Sequence, residues 1–178
     1  MTHTPDTNNT DNNTDFVHQR HQPPTSLERP RELIMACVPM RSNVNISQIA
    51  RAASSFAVEK LVLSGNPSLH KKIARDATSE LTISIHRSIG PVIKKLKKDG
   101  YRIVGIEQTS NSQNIHQYTF QRRTVLVVGN ERLGISEDVL ALLDDVVELP
   151  VWGLPHSYNA STAANMVMFE YCRQFPTG

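Results

Sequence analysis

The chain has 178 residues, with 19 Lys and Arg against 17 Asp and Glu for a formal net charge of +2, and two cysteines. This length suits one domain with a sizeable core, and the charge balance permits a nucleic-acid partner without pointing to one. Two cysteines exclude a disulfide framework, and no apolar run is long enough to cross a bilayer.

Residues 1–30, MTHTPDTNNTDNNTDFVHQRHQPPTSLERP, are mostly Thr, Asn, Asp, His, Gln and Pro, with Phe16, Val17 and Leu27 as the main apolar side chains. Such a segment buries too little to offset its ordering entropy, so a disordered tail is expected over 1–30 and a folded domain over 31–178. The tail lacks the apolar core of a signal peptide, and a cytoplasmic protein without a membrane segment is expected.

Leu33 to Val38 is a continuous apolar run of strand length, as in a buried parallel strand, and Pro39 ends it. From Asn45 a helical pattern begins, with Ile46, Ile49, Ala50, Ala53 and Ala57 on one face and Arg51 almost opposite. Lys60 to Leu63 reads as a second strand closed by Gly65, Pro67 to Ala74 as a helix, and Leu81 to Ile85 as a third strand. Val92, Ile93 and Leu96 form the apolar side of a helix that Gly100 ends. Its other side carries Lys94, Lys95, Lys97 and Lys98, a solvated face or an RNA contact. Tyr101 to Ile106 and Thr124 to Val128 are strands four and five, and a short helix over Ser136 to Leu143 precedes a sixth, Val146 to Leu149. Alternating strands and helices specify an α/β fold with a mainly parallel sheet flanked by helices.

Pro150 stops the last strand, and a turn-rich loop with Gly153, Pro155, Ser157 and Asn159 follows. The final helix carries Ala164, Val167, Met168, Tyr171, Cys172 and Phe175 at i, i+3, i+4, i+7, i+8 and i+11, with Asn159 or Ser161 as its N-cap. Cys37 and Cys172 lie in apolar stretches and are expected to be buried structural thiols. Neither they nor the histidines form a metal-ligand pattern, so no metal is expected; His3, His18 and His21 fall in the tail and His156 stands alone.

Gly129 to Ile135, GNERLGI, directly follows a buried strand, where open α/β sheets place their ligands. It is neither a phosphate loop nor the GxGxxG fingerprint, and by itself it is compatible with an ordinary turn. Three segments taken in order say more. Asn45 to Val58 (NISQIARAASSFAV), Leu126 to Ser136 (LVVGNERLGIS) and Leu149 to Ser161 (LPVWGLPHSYNAS) resemble the three motifs of SpoU-type, TrmH-like RNA ribose 2′-O-methyltransferases of the SPOUT superfamily. The resemblance spans Leu33 to Phe175. The family's Asn and Arg match Asn45 and Arg51, its Gly and Glu match Gly129 and Glu131, and its Ser-Leu-Asn-x-Ser motif matches Ser157 to Ser161.

That resemblance implies S-adenosylmethionine as cofactor, a structured RNA as substrate with tRNA ahead of rRNA, and a homodimer whose C-terminal helix lies in the interface. It also implies a deep C-terminal trefoil knot, which connection rules alone would disfavour. The run Gly105-Ile106-Glu107-Gln108-Thr109 is most similar to the branch that methylates a guanosine ribose in the tRNA D-loop. The implied catalytic set is Arg51, Asn45, Glu131, Ser157 and Asn159; Ile106, Gly129, Leu149, Ser157, Tyr158 and Asn159 would ring the cofactor.

A guanidinium stays protonated, so Arg51 suits binding phosphate and orienting the hydroxyl better than removing its proton. Asn45 would hold Arg51 and the substrate loop, or serve as the helix N-cap; Glu131 would fix Arg51, reach a partner subunit, or be a surface carboxylate. Ser47 and Ala57 stand where the family has glycine, both read as helical positions, and Tyr158 stands where it has leucine. The departures at Ser47 and Tyr158 motivate an alternative, a catalytically silent knotted RNA-binding or assembly module.

Overall fold

The computed structural model describes Phe16, His18 and residues 22–178. Most of the expected tail therefore lies outside the described residues; within 22–30, the Glu28 N–H donates to Thr177 O at 2.9 Å. In chain order the elements are β1 (Leu33–Cys37), α1 (Asn43–Ser55), β2 (Lys60–Ser64), α2 (Lys71–Ala74), α3 (Ala77–Glu80), β3 (Ile83–His86), α4 (Gly90–Lys98), β4 (Arg102–Ile106), β5 (Gln113–Asn114), β6 (Thr124–Val128), α5 (Glu137–Leu140), β7 (Asp145–Glu148) and α6 (Ala160–Gln174).

The strands form one seven-stranded sheet in the order β3-β2-β1-β6-β4-β7-β5, every pair parallel. β1 and β6 pair at its centre, and all five positions of each are buried. Both faces are covered, which is why these strands read as unbroken apolar runs rather than alternating ones. Leu33, Met35 and Cys37 point to the face packed by α1, α2, α3 and α6; Ile34, Ala36 and Val38 point to the face packed by α4 and α5. None of the described helices is long and apolar enough to cross a membrane.

Several expected boundaries shift. α1 begins at Asn43 with Ser42 as its N-cap, whose side chain accepts from Asn45 N, so Asn45 is not the cap. The expected helix over Pro67 to Ala74 is only the single turn α2, followed by a second turn, α3. The seventh strand, β5, has two residues; it pairs with β7 through its backbone and carries no apolar alternation that would announce it.

Ala57 also differs from its expected helical placement. It lies beyond the end of α1 at φ 52, in the left-handed region. Its N–H donates to Ser54 O and the Val58 N–H to Ala53 O, the two-bond closure that usually has glycine in that conformation. α4 closes in the same way with Gly100 at φ 87, as expected. Ser47, by contrast, is helical and fully buried; its hydroxyl donates to Asn43 O at 2.6 Å and accepts from His70 N at 2.9 Å, tying α1 to the start of α2. Cys37 is buried, and burial first, then the Glu131 charge, push its thiol up to about 12. Cys172 is only partly buried, because α6 is covered on one side.

Candidate functional site

The carboxyl ends of β4, β6 and β7 point the same way, and the three loops that leave them converge on one cleft of about 250 Å³. Parallel strands impose this: every loop that follows a strand emerges at the same edge of the sheet. Ile106, Gly129, Leu149, Ser157 and Tyr158, all expected around a cofactor, line the cleft, and Glu131 joins them. Asn159 does not line it. Its side chain caps α6 instead, Oδ1 accepting from Ser161 N at 2.9 Å and Thr162 N at 3.4 Å.

The loop after β6 is folded tightly on itself. Asn130 and Gly134 exchange both backbone hydrogen bonds at 2.9 Å, and Asn130 Oδ1 accepts from the N–H groups of Arg132 and Leu133. A Cβ on Gly129 would lie 2.6 Å from Gly134 C, so only glycine lets the two backbones meet. Gly134 has φ +66, and a Cβ there would stand 2.5 Å from Glu107 Oε2. Glu107 was not among the expected site residues. Its Oε2 accepts from Ile135 N at 3.1 Å and its Oε1 from Gln108 N, so it holds the loop after β6 against the loop after β4. The available signal was its place directly after a buried strand in an α/β sheet.

Glu131 reaches from the cleft to the start of α1. Its carboxylate accepts from Arg41 N at 2.9 Å, Ser42 N at 3.0 Å and Asn45 Nδ2 at 3.0 Å. An anion at a helix N-terminus satisfies donors that the helix cannot. Burial works to raise its pKa, but hydrogen bonds from Arg41 N, its own backbone, Asn45 and Ser42 outweigh it and hold the carboxyl below its ordinary 4.5. Glu131 therefore fixes Asn45 and the approach to α1, and not Arg51.

Asn45 continues the chain of bonds. Its Oδ1 accepts from Asn159 Nδ2 at 3.2 Å, and Ser161 Oγ lies 2.6 Å from Gln48 Oε1 and 2.7 Å from Asn159 Oδ1. Glu131, Asn45 and Asn159 thus form one relay of side-chain bonds joining all three motif segments.

Arg51 stands apart. It is exposed and lines a separate groove with Gln48, Ser55, Phe56, Ser161 and Asn165. The cleft and this groove flank the first turn of α6, since Ala160 and Ala163 face one and Ser161 and Thr162 the other. Ser157 lines the cleft and is exposed at its mouth. His156 sits beside it in the same loop, its carbonyl accepting from Gln108 Nε2 at 3.4 Å. Among the described residues no group of three or more His, Cys, Asp or Glu could hold a metal ion.

Residues 32–169 match the family model described as the SpoU rRNA Methylase family. The tRNA (guanosine(18)-2'-O)-methyltransferase of Escherichia coli (strain K12) is 29% identical over 133 residues, covering 73% of this chain; the chain spans 58% of that relative's length. Among solved structures, the Aquifex aeolicus TrmH/SpoU tRNA modifying enzyme superposes with a TM-score of 0.78 at 24% identity, over 84% of this chain and 78% of that one. The SpoU methyltransferase AviRb from Streptomyces viridochromogenes, solved in complex with the cofactor AdoMet, superposes with a TM-score of 0.70 at 24% identity, over 85% and 64%. At that identity the two structures share the fold. With the family model covering most of the folded chain, this protein belongs to the SpoU rRNA Methylase family.

Proposed function

We propose that this protein transfers a methyl group from S-adenosylmethionine to a ribose 2′-hydroxyl of tRNA, with a guanosine as the target, as in the Escherichia coli relative's name, and with the D-loop as its place, as the resemblance of the 105–109 run implies. The observation that carries the reading is the convergence of the 106–109, 129–135 and 149–158 loops on one cleft in a chain of this family. The cradle suits such a cofactor: Gly129 and Gly134 leave room for close backbone approach, and the lining mixes backbone polar groups with Ile106, Val128 and Leu149. When bound, S-adenosylmethionine supplies an electrophilic methyl group on a sulfonium.

Ile106, Gly129, Leu149, Ser157 and Tyr158 would hold it, while Asn159 and Asn45 fix the walls. Arg51 is assigned to the RNA: from its groove beside the cleft it binds phosphate of the target nucleotide and orients the 2′-hydroxyl. The trefoil knot implied by the family resemblance is taken with the fold that this chain shares with the Aquifex aeolicus TrmH/SpoU enzyme. Exposed Met166 and Phe169 on α6, which line one groove with exposed Trp152, support a homodimer over that helix. We take residues 31–178 as the methyltransferase domain and 1–30 as a tail outside it. Action on tRNA fits a cytoplasmic protein.

The test is single-turnover transfer of labelled methyl from S-adenosylmethionine to tRNA and rRNA, with the modified position mapped. Methylation of a tRNA ribose is the expected result. RNA binding with neither cofactor binding nor transfer would overturn it in favour of a silent binding module.

A further inference from the structure

We propose that Tyr158 is a positioning residue whose hydroxyl braces the 150–158 loop and so sets the shape of the cofactor cleft. The proposal rests on the cofactor assignment above. Residues 150–158 make no backbone–backbone hydrogen bond with another described residue. Two side-chain bonds hold the loop: Tyr158 OH donates to Pro150 O at 3.1 Å, and Gln108 Nε2 reaches His156 O at 3.4 Å. Residues 152–157 are all exposed, and the ring contact among them is Trp152 stacked on His116 at 6.4 Å between centroids, which leaves the rest of the loop with little packing to place it.

A loop with so few ties samples many conformations, and ordering it opposes ligand binding. The Tyr158 bond joins the loop's last residue to its first. It therefore closes the whole loop with one contact, at the end of β7 where Leu149 enters the cleft. The ring has a second consequence. Tyr158 and Leu149 line both the cleft and the neighbouring apolar groove formed by Trp152, Met166 and Phe169, so the phenol is the wall between them. Removing the hydroxyl frees the loop and keeps the wall; removing the ring opens the wall as well.

Trp152 is the only tryptophan in the chain and lies within the braced loop, 82% exposed, so it reports the loop's mobility without reference to activity. The experiment compares full-length wild type, Tyr158→Phe and Tyr158→Leu by acrylamide quenching of Trp152, titration with S-adenosylmethionine, thermal unfolding, and single-turnover transfer. Tyr158→Phe is expected to raise the quenching of ligand-free protein, weaken S-adenosylmethionine about three- to tenfold, and leave the unfolding midpoint nearly unchanged. At saturating cofactor its transfer rate should return to the wild-type value, since the brace acts on binding. Tyr158→Leu should weaken binding further. Wild-type affinity and quenching in Tyr158→Phe would overturn the brace, as would a lowered midpoint with unchanged quenching. If wild type itself does not bind the cofactor, the cofactor assignment falls, and the quenching comparison still decides whether the loop is braced.

Discussion

Glu131 Oε1 accepts a hydrogen bond from Asn45 Nδ2 at 3.0 Å, joining residues 86 positions apart in the chain. Through it the loop after β6 is locked to the first turn of α1, and Asn45 in turn accepts from Asn159 at the start of α6. The charge on Glu131 serves this junction, because three donors converge on one carboxylate.

The junction makes stability depend on pH with a definite sign. The Glu131 carboxyl titrates below its ordinary 4.5 in the folded chain. Its contribution is therefore fully present above about 4.5, the unfolded value, and is lost as pH falls through the folded value. Wild type should be more stable than Glu131→Gln at pH 7, and the gap between their unfolding midpoints should close on acidification below pH 4.5. A gap that stays constant to pH 3 would show that the charge is irrelevant to the junction.

Arg51→Ala should leave the unfolding midpoint almost unaltered, because the side chain is exposed and its removal leaves no cavity. Single-turnover methyl transfer should fall by on the order of a hundredfold or more through lost positioning. Cofactor affinity should survive, since Arg51 lies outside the cleft. Arg51→Lys should restore only part of the rate, as an ammonium lacks the planar two-point contact. Normal transfer by Arg51→Ala would return the residue to the solvated surface.

At Gly129 a methyl group has nowhere to go, with Gly134 C 2.6 Å from the Cβ position and Ile135 N at 2.9 Å. Gly129→Ala should destabilise the fold by about 1–3 kcal/mol and abolish measurable cofactor binding, because the loop after β6 must move into or away from the cleft. Isothermal titration together with urea unfolding separates the two effects. Binding at wild-type strength would mean the loop can relax without touching the cleft.

Ala57 and Gly100 close their helices with the same pair of backbone bonds, yet only one of them is glycine. Left-handed backbone strains alanine, so Ala57→Gly should stabilise the chain by about 0.5–1 kcal/mol, seen as a rise of about 1–3 °C in the unfolding midpoint. Gly100→Ala should have the opposite sign; no atom lies within 4 Å of its Cβ position, leaving the backbone as the cause. A fall in midpoint for Ala57→Gly would contradict the left-handed assignment.

Local physics determined much of this protein from its sequence. The apolar runs at Leu33–Cys37 and Thr124–Val128 had to be buried strands, Gly100 had to end α4, and the loops that follow parallel strands had to leave one edge of the sheet, while the order β6-β4-β7 decided which of them meet. The cleft residues Ile106, Gly129, Leu149, Ser157 and Tyr158 were legible through the resemblance of the three motif segments to the family, not through local physics. Tertiary structure alone decided the rest. It turned Glu131 toward Asn45 and the α1 N-terminus, left Arg51 in a groove across the first turn of α6, placed Ala57 past the end of its helix, and paired β5 with β7 through backbone alone. None of these has a local period to read. For Glu131 and β5 the outcome depends on which distant donor or strand edge comes within about 3 Å, a distance the folded chain sets and a hydrogen bond requires.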